Sequence, residues 1–587
     1  MIRPVICSNG IGIWWDWHRP LVEREVDLAD YKDRLLEIHG SNMWNGFHVQ
    51  RAIEFAKRYG MTGIIFHAND IIDKAIKPDK YFSPNVSLLQ YNNRDGDTKN
   101  YKYYLKNIID KITDAGLEFY VEVKEIYFPY EILSEYPHLR KENGAICPTD
   151  PFWWEFLEEK LSEFARRFPK ASGVIVSAGT RESMVSLALN KCVCDRCKSY
   201  TMDRWYRELM AAMFRPLDKA GMKLIVREFS YTADHQYAMI DAAMDVSDKI
   251  IIAIKKAPHD YYPTFPLNPT AGHCGALEQW IEYDAWGQYF GLGVMPCSVV
   301  EDMQERMKYY KQKGATGVMI RTDWERLLNG STFNAFTMLN LVAGAMLSKN
   351  VDTDPDEIYR AWLDYGLLSP LEYDTWNQKP CTPTSPKALE VLKRFMQDAW
   401  HIQERTIYVR GHVFNRNAQM FDRYYLTYFI MTVQHTRDHW DKNASRLVSP
   451  TDENIEAMIK EKDEGIAIAN SLKDYLKPTE LGVSKQIEIY LQFLLDVYPL
   501  YAEIFKAQII TAAYIKRAEQ FGDMAFLDKA QATLAGYDGL AERLGKLIDG
   551  KHYSNNVEYV LDKDRVLRFK ADCASVIAEL CSKGEKR

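Results

Sequence analysis

Residues 250–263 read IIIAIKKAPHDYYP, and residues 277–291 read LEQWIEYDAWGQYFG. Each stretch begins with a short apolar run of strand-forming residues and then changes abruptly to charged, aromatic and amide side chains. Lys255 and Asp260 follow the first run, and Glu282 and Asp284 lie at the end of the second. In a parallel α/β barrel the active site lies at the carboxyl ends of the strands, so both stretches predict a site there. Acids and cations interleaved with Trp and Tyr favour a polar, ring-shaped substrate such as a sugar.

Six further runs of the same kind lie before residue 350. They are GIGIWWDW at 10–17, GMTGIIFHAND at 60–70, GLEFYVEVKEIYFPY at 116–130, ASGVIVSAGTRES at 171–183, GMKLIVREFSY at 221–231 and GATGVMIRTDW at 314–324. Helical stretches such as residues 153–168 separate them, and strands that alternate with helices indicate a parallel sheet. Eight such units predict an α/β fold, a (β/α)8 TIM barrel over residues 1–350.

The periodicity changes after residue 351. Apolar residues recur at helical spacing in residues 358–365, 387–402, 421–440, 454–476, 484–521 and 565–581. Pro499 lies inside one of these segments and is expected to kink or divide it. We therefore predict a mostly α-helical C-terminal domain over residues 351–587, a packing domain through which the chain could form a homodimer.

The composition excludes several classes of protein. The chain has 587 residues, of which 47% are hydrophobic and 26% charged, as is typical of a soluble globular protein. A net charge of −7 without a basic stripe argues against nucleic-acid binding. The longest apolar stretch, residues 336–347, is too short to span a membrane, and the opening MIRPVICSNGIGIWW lacks the pattern of a secretory signal. We expect a cytoplasmic enzyme that binds neither nucleic acid nor a membrane.

Carboxylates cluster at the predicted strand ends. They are Asp16, Asp70, Glu122, Glu125, Glu182, Glu228, Asp260, Glu282, Asp284 and Asp323. Any one of them could be a salt-bridge partner, but their shared face suggests the two carboxyl groups that glycoside hydrolysis commonly needs. Arg227 and Lys255 follow adjacent strands and could either clamp an anionic group or balance the carboxylates. Trp15 and Trp286 are expected to wall the pocket, the alternative being that they pack under a loop as core residues.

Three cysteines, Cys192, Cys194 and Cys197, lie in the loop after the fourth predicted strand. With a fourth ligand from elsewhere they could form a structural zinc site. The usual second pair of cysteines is missing from the sequence, so reduced, unliganded thiols are the alternative. No His cluster accompanies the three, and we expect catalysis to require no cofactor.

Several strings resemble, in their order, the α-glucuronidases of glycoside hydrolase family 67. KKAPHDY at 255–261 is similar to the family's KNGP-x-DF motif, and EYDAWGQ at 282–288 is similar to QEY-x-GQ. VREFSY at 226–231 resembles WRAFVY, and CPTDPFWW at 147–154 resembles DPLDP before a helix with paired Trp. The resemblance covers residues 10–345. It implies a barrel followed by helices, and an inverting hydrolase that removes a uronic acid from oligosaccharide ends.

The resemblance also implies roles for individual carboxylates. Asp260 matches one proposed base, and the other matches Asp284 or, if one gap is allowed, Glu282. The family's general acid lies in a VKADSEG string, which VSAGTRE at 176–182 matches with Glu182 displaced by one residue.

The cations match the family less completely. Arg227 and Lys255 match residues that hold the sugar carboxylate, but the lysine of the VKADSEG string is replaced by Ser177. The sequence leaves open whether Lys256, next to Lys255, compensates for this loss.

Together these observations predict an exo-acting, inverting glycoside hydrolase that acts on an oligosaccharide. The expected substrate contacts are Trp15, Asp16, Arg227, Lys255, Lys256, Trp286 and Gln288. Three alternatives stay open: a retaining glycosidase on a neutral sugar, a carbohydrate-binding barrel that has lost its acid, and a metal-dependent hydrolase centred on the cysteines.

Overall fold

Eight parallel strands close into a barrel in this computed structural model. The structure describes residues 5–7, 10–12, 30–82, 92–180, 182–230, 232–327, 330–372, 378–413, 418–423, 426, 440 and 444–584. The barrel strands are β1 (Asp33–His39), β2 (Gly63–His67), β3 (Glu118–Val123), β4 (Gly173–Ser177), β5 (Lys223–Arg227), β6 (Ile251–Lys255), β7 (Glu278–Asp284) and β8 (Gly317–Arg321). Each strand pairs with its neighbours in the chain, and β8 pairs with β1. The predicted (β/α)8 barrel is confirmed.

The prediction of the first strand is wrong. Gly10–Gly12 pairs antiparallel with Val5–Cys7 in a separate short hairpin, and β1 takes the first place in the barrel. β1 reads DRLLEIH, in which charged residues interrupt the apolar ones. Its Glu37 is fully buried and lies 2.6 Å from His67. The other seven predicted runs each contain a barrel strand.

Helices connect the strands. Their bounds are Gly46–Tyr59, Ile71–Ala75, Asn92–Asp114, Ile132–Glu135, Phe152–Arg167, Asp195–Ser199, Met202–Lys219, Ala233–Val246, Val300–Gln312 and Met338–Lys349. The first shows how the sequence sets such limits. The Asn45 side chain accepts hydrogen bonds from the first N–H groups of the helix, and Gly60 ends it at a φ of 69°.

The remainder of the chain is mostly helical, as predicted. The helices are Pro355–Tyr365, Ala388–Thr406, Asp452–Tyr475, Lys485–Phe521, Ala525–Leu534, Tyr537–Ile548, Asn555–Val560 and Lys563–Gly584. Lys485–Phe521 continues through Pro499, so the predicted division does not occur there. A two-residue hairpin, Tyr408–Val409 with His412–Val413, interrupts the helices. Most of the predicted helix at 421–440 lies outside the described residues.

The helical half, residues 351–584 as far as the structure describes them, packs on the loop that follows β7. Its side chains donate to backbone carbonyls of this loop, Tyr490 to Val294 at 3.0 Å, Gln403 to Met295 at 3.2 Å, and Tyr498 to Pro296. Buried residues of both halves belong to one continuous hydrophobic core. The helical half therefore supports one of the loops around the barrel mouth.

Among the described residues, no helix combines the length and the apolarity that crossing a bilayer requires. The boundary at residue 350, a homodimer and a cytoplasmic location stay predictions.

Candidate active site

Each barrel strand places one polar side chain above a common apolar layer. That apolar layer inside the barrel includes Leu35, Ile65, Tyr120, Ile175, Ile225, Ala253, Trp280 and Met319. Side chains two positions apart on a strand share a face, so the next inward residues form a second layer. They are Glu37, His67, Glu122, Ser177, Arg227, Lys255, Glu282 and Arg321, all buried. We call them the polar ring; it lies at the carboxyl ends of the strands, where TIM barrels hold their active sites.

Arg227 is the centre of the ring's largest ion-pair network. Its Nε and Nη2 donate to the two oxygens of Glu282 at 2.7 and 2.6 Å. Nη1 donates to Ser177 at 2.9 Å and lies 3.2 Å from Glu122, while Nη2 also donates to Tyr261 at 2.9 Å. Burial disfavours the charge of Glu282, but the Arg227 guanidinium outweighs it and holds the pKa of that carboxyl well below its usual range. The contacts of Arg227 are those of charge balance; its role as a sugar clamp stays a prediction.

His67 lies between two carboxylates on the opposite side of the ring. Its Nδ1 is 2.6 Å from Glu37 and its Nε2 is 3.1 Å from Glu122, and the His39 ring stacks on it at 3.8 Å. Burial raises the pKa of Glu37 well above its usual range and lowers the pKa of His67 well below. Glu37, His39 and His67 bring ligand atoms within 4.8 Å of one another, a spacing that a metal ion could use. The two carboxylates already account for the position of His67.

Lys255 is the ring's least satisfied cation. Its Nζ lies 3.5 Å from Asp260 and 3.6 Å from Glu282, and it has no hydrogen-bond acceptor among the described residues. The Nζ atom is also 3.7 Å from the ring centroid of Tyr261 and 4.6 Å from that of Phe229. Burial and the charge of Arg227 lower the pKa of Lys255. This ammonium group is placed to receive an acceptor from a ligand.

Asp260 is the accessible carboxylate beside Lys255. Its side chain keeps 15% of its exposure, and one carboxylate oxygen accepts a hydrogen bond from Tyr289. Tyr408 of the helical half in turn donates to the Tyr289 carbonyl at 2.8 Å. Burial opposes the charge of Asp260, but Lys255 and His259 outweigh it, so the pKa lies below its usual value. Asp260 has a φ of 49°, a strained conformation that often marks functional residues.

Asp284 is buried at the end of β7 and holds the loop that follows this strand. Its two oxygens accept the backbone N–H groups of Trp286 at 3.1 Å and Gln288 at 2.8 Å. Arg321 pairs with the same carboxylate at 3.1 Å and donates to the Gln288 side chain at 2.8 Å. The structure thus brings Asp284 and Gln288 together, and these contacts connect the end of β7 to the loop that follows it.

Lys124 provides a cation next to Ser177. It follows β3, and the parallel register of β3 and β4 places the two residues side by side. The Lys124 Nζ donates to Ser177 at 3.1 Å and lies 3.5 Å from Glu122 and 3.6 Å from Glu182. The neighbouring strand therefore supplies a positive charge next to Ser177, which stands where the family 67 motif has a lysine.

Glu182 and Glu325 lie on the rim of the mouth. The Glu182 side chain is 42% exposed, and its N–H donates to Thr180 at 3.1 Å. Glu325, in the loop after β8, lies 3.3 Å from His39. Partial burial raises the pKa of Glu325, and the nearby Glu182 charge adds to this effect. The rim thus offers two carboxyl groups that could deliver a proton.

Two other predicted contacts, Lys256 and Trp286, do not join the mouth. Lys256 is buried and pairs with Asp302 at 2.9 Å, because side chains of adjacent strand residues point to opposite faces. Trp286 is fully buried, and Gly293 packs so closely on its ring that a Cβ would lie 2.2 Å away. It is a core residue and not a pocket wall. Trp15 and Asp16 lie outside the described residues.

The three predicted cysteines come together with a fourth. The sulfur atoms of Cys192, Cys194 and Cys197 and that of Cys147 all lie within 4.8 Å of one another. Cys147 belongs to the CPTDP string in the loop between β3 and Phe152–Arg167.

Several residues of the mouth are absent from the sequence-based prediction, among them Glu37, His67, Lys124, Tyr261, Arg321 and Glu325. Glu37 lies in the strand that was missed. His67 and Arg321 are the last residues of apolar strands. Because alternate residues of a strand face the same side, counting in steps of two from the inward-facing apolar residues would have placed both side chains inside the barrel. Tyr261 becomes visible only through its contacts with Arg227 and Glu282.

Glu228, directly after β5, predicts a pH-dependent stability. It accepts hydrogen bonds from the Ser230 N–H and from Gln236, and burial raises its pKa to about 7. Because its pKa is higher in the folded than in the unfolded protein, the folded state binds this proton more tightly. The stability that the protonated Glu228 contributes is fully present below the unfolded pKa and is lost as the pH rises through about 7. Between pH 4.5 and 8, the wild-type free energy of unfolding should fall by about 3 kcal/mol relative to Glu228→Gln. Urea unfolding of both proteins across this range measures it, and parallel pH curves would refute the assignment.

Comparison with known proteins gives a structural likeness only. No protein-family model and no curated protein matches this sequence. The chain is similar to the solved structure of a GH138 enzyme targeting pectin rhamnogalacturonan II, with a TM-score of 0.57 and 13% identity over 94% of this chain and 67% of that one. A β-N-acetylhexosaminidase from Bacteroides fragilis NCTC 9343 matches with a TM-score of 0.39 and 14% identity over 58% of this chain and 71% of that one. A GH20 exo-β-N-acetylglucosaminidase from Vibrio harveyi matches with a TM-score of 0.38 and 13% identity over 58% of each chain. The likeness to the GH138 enzyme shows that a barrel followed by helices is a fold shared along most of this chain.

Proposed function

We propose that this protein is an exo-acting glycoside hydrolase that removes a terminal sugar from an oligosaccharide with inversion. The observation that carries the proposal is Asp260, an accessible and ionised carboxylate beside the unsatisfied Lys255 ammonium group. Similarity of the fold to a GH138 enzyme that targets a pectin polysaccharide agrees with this activity.

Asp260 acts as the general base that activates water. Its lowered pKa keeps it ionised near neutral pH, and Tyr289 fixes one of its oxygens while its residual exposure admits a water molecule. The acid, Glu182, follows β4, whereas Asp260 follows β6, so β5 separates them. Inversion requires the two carboxyl groups to lie about 6.5–9.5 Å apart, which leaves room for a water molecule between them.

The preferred substrate is a terminal uronic acid. A sugar carboxylate over Lys255 would give its buried ammonium group the acceptor that the described residues do not supply. Lys124, which follows β3 and contacts Ser177 of the polar ring, adds positive charge. The Phe229 ring lies beside both ammonium groups, at 4.6 and 5.2 Å, and offers a partly exposed apolar face for the sugar.

A substrate panel tests this function. Aryl and natural glycosides of uronic acids and of neutral sugars, in both anomers, are incubated with the full-length protein and the released sugar is measured. We expect turnover of a terminal α-uronide. Turnover of neutral sugars alone would refute the uronate assignment, and tight binding of glycans without turnover would refute the enzyme assignment.

The acid role predicts a dependence on the leaving group. Replacing Glu182 with Gln should lower kcat by about 10²–10⁴-fold on natural glycosides, whose leaving groups need a proton, but only slightly on activated aryl glycosides. Glu325→Gln is the matched variant, since this residue lies on the same rim. Equal losses on both substrates for Glu182→Gln, or the selective loss in Glu325→Gln instead, would move the acid role away from Glu182.

A further inference from the structure

Four cysteine side chains from two loops meet beside the barrel, apart from the polar ring. Cys147 comes from the loop after β3, Cys192 and Cys194 come from the loop after β4, and Cys197 comes from the short helix Asp195–Ser199 that ends this loop. Their sulfur atoms all lie within 4.8 Å of one another, with Cys147 3.8 Å from Cys194 and 3.6 Å from Cys197. The four are free thiols that form no disulfide with one another.

These separations fit one tetrahedral metal ion. Four thiolates bound to zinc at about 2.3 Å place neighbouring sulfurs about 3.8 Å apart. Three of the four cysteines are buried and Cys194 is partly so, which gives a closed donor set without an open position for substrate. Four thiolates in a closed set are typical of a structural zinc site and not of a catalytic one.

The surrounding hydrogen bonds hold the two loops in this arrangement. Trp153 donates from its indole N–H to the Cys147 carbonyl at 2.8 Å, and the Asn190 side chain accepts the Cys192 N–H at 2.6 Å. Asn143 of the first loop donates to the Lys191 carbonyl of the second at 3.1 Å. The sulfur positions are therefore fixed from both sides of the cluster.

We propose that Cys147, Cys192, Cys194 and Cys197 bind one structural Zn²⁺ that joins the loop after β3 to the loop after β4. The second loop begins at the strand end that carries Glu182, so the metal anchors the far end of the segment that presents this carboxylate. This proposal does not depend on which sugar, if any, the mouth binds. Each cysteine must lose its proton on binding, and the ion stabilises the folded chain because no preformed site exists in the unfolded one.

Metal content of the purified full-length protein tests the proposal. Protein produced with added zinc should contain about one zinc per chain after dialysis, whereas Cys147→Ser and Cys197→Ser should contain less than about a fifth of that amount. Cys581→Ser removes an exposed cysteine outside the cluster and should keep the full content. Zinc-free wild-type protein, or full zinc content in Cys147→Ser, would overturn the proposal.

A second measurement covers variants that fail to fold. The wild-type protein, loaded with Co²⁺ in place of Zn²⁺, should show the thiolate-to-cobalt charge-transfer absorption and the strong visible bands of a tetrahedral site. Removing zinc with a chelator should expose four additional reactive thiols and lower the melting temperature. A cobalt spectrum of octahedral type, or no change in thiol reactivity, would contradict four-cysteine ligation.

Discussion

Replacing Asp260 with Asn should lower kcat by about 10³-fold while changing KM little, because the general base acts in the transition state and not in substrate binding. Asn accepts the left-handed backbone conformation that Asp260 adopts, so the substitution should leave the loop in place. Steady-state kinetics on the best substrate of the panel measures the loss.

The matched control for this prediction is Asp70→Asn. Asp70 also follows a barrel strand, but it pairs with Lys74 one helical turn away and stays partly exposed. We expect wild-type kinetics from this variant. If Asp260→Asn kept its kcat within a few-fold of the wild type, another group would have to activate the water.

Replacing Arg227 with Met should destabilise the protein by about 3–5 kcal/mol, because it leaves buried carboxylates without their counter-charge. Glu282 loses two hydrogen bonds, and Glu122 loses its nearest guanidinium group. Urea unfolding followed by fluorescence measures the change as a shift of the midpoint.

Two further variants decide whether charge balance is the cause. Arg215→Met removes an exposed arginine paired with Glu158 and should change stability by less than about 1 kcal/mol. The double variant Arg227→Met with Glu282→Gln should regain part of the lost stability, since it removes an unpaired charge. A double variant no more stable than Arg227→Met alone would show that packing, and not charge, determines the effect.

The fold could be predicted because most of the strands carry a recognisable apolar run that follows a turn and ends in polar side chains. IIAIK and GVMIR contain only apolar residues and glycine until their last position, so their limits are visible in the sequence. β1 was missed because its apolar run is short, with only Leu35 and Leu36 between Arg34 and Glu37, and the buried Glu37 contacts His67 of the next strand. That contact joins two strands and leaves no local signal.

Part of the site could be predicted because some of its residues lie at the ends of strands that the sequence reveals. Asp260 and Lys255 follow a strand that is easily recognised, and the structure places them 3.5 Å apart. Local sequence cannot tell which cations are already paired, and for this reason it assigned Lys256 to the mouth although it pairs with Asp302. Long-range packing, such as the support of Tyr289 by Tyr408, depends on the folded helical half.

The contact between Cys147 and the three later cysteines illustrates the same limit. Three closely spaced thiols suggest a metal, but the fourth lies on a different loop and meets them only when β3 and β4 pair.

The most direct test of the proposed function follows hydrolysis of a terminal α-uronide by NMR and identifies the anomer formed before mutarotation. If Asp260 activates water opposite the leaving group, the first product is the β-anomer, and Asp260→Asn forms it at a rate lower by about 10³-fold. An α-anomer as first product would indicate a covalent intermediate and contradict the assignment of Asp260 as the base of an inverting reaction.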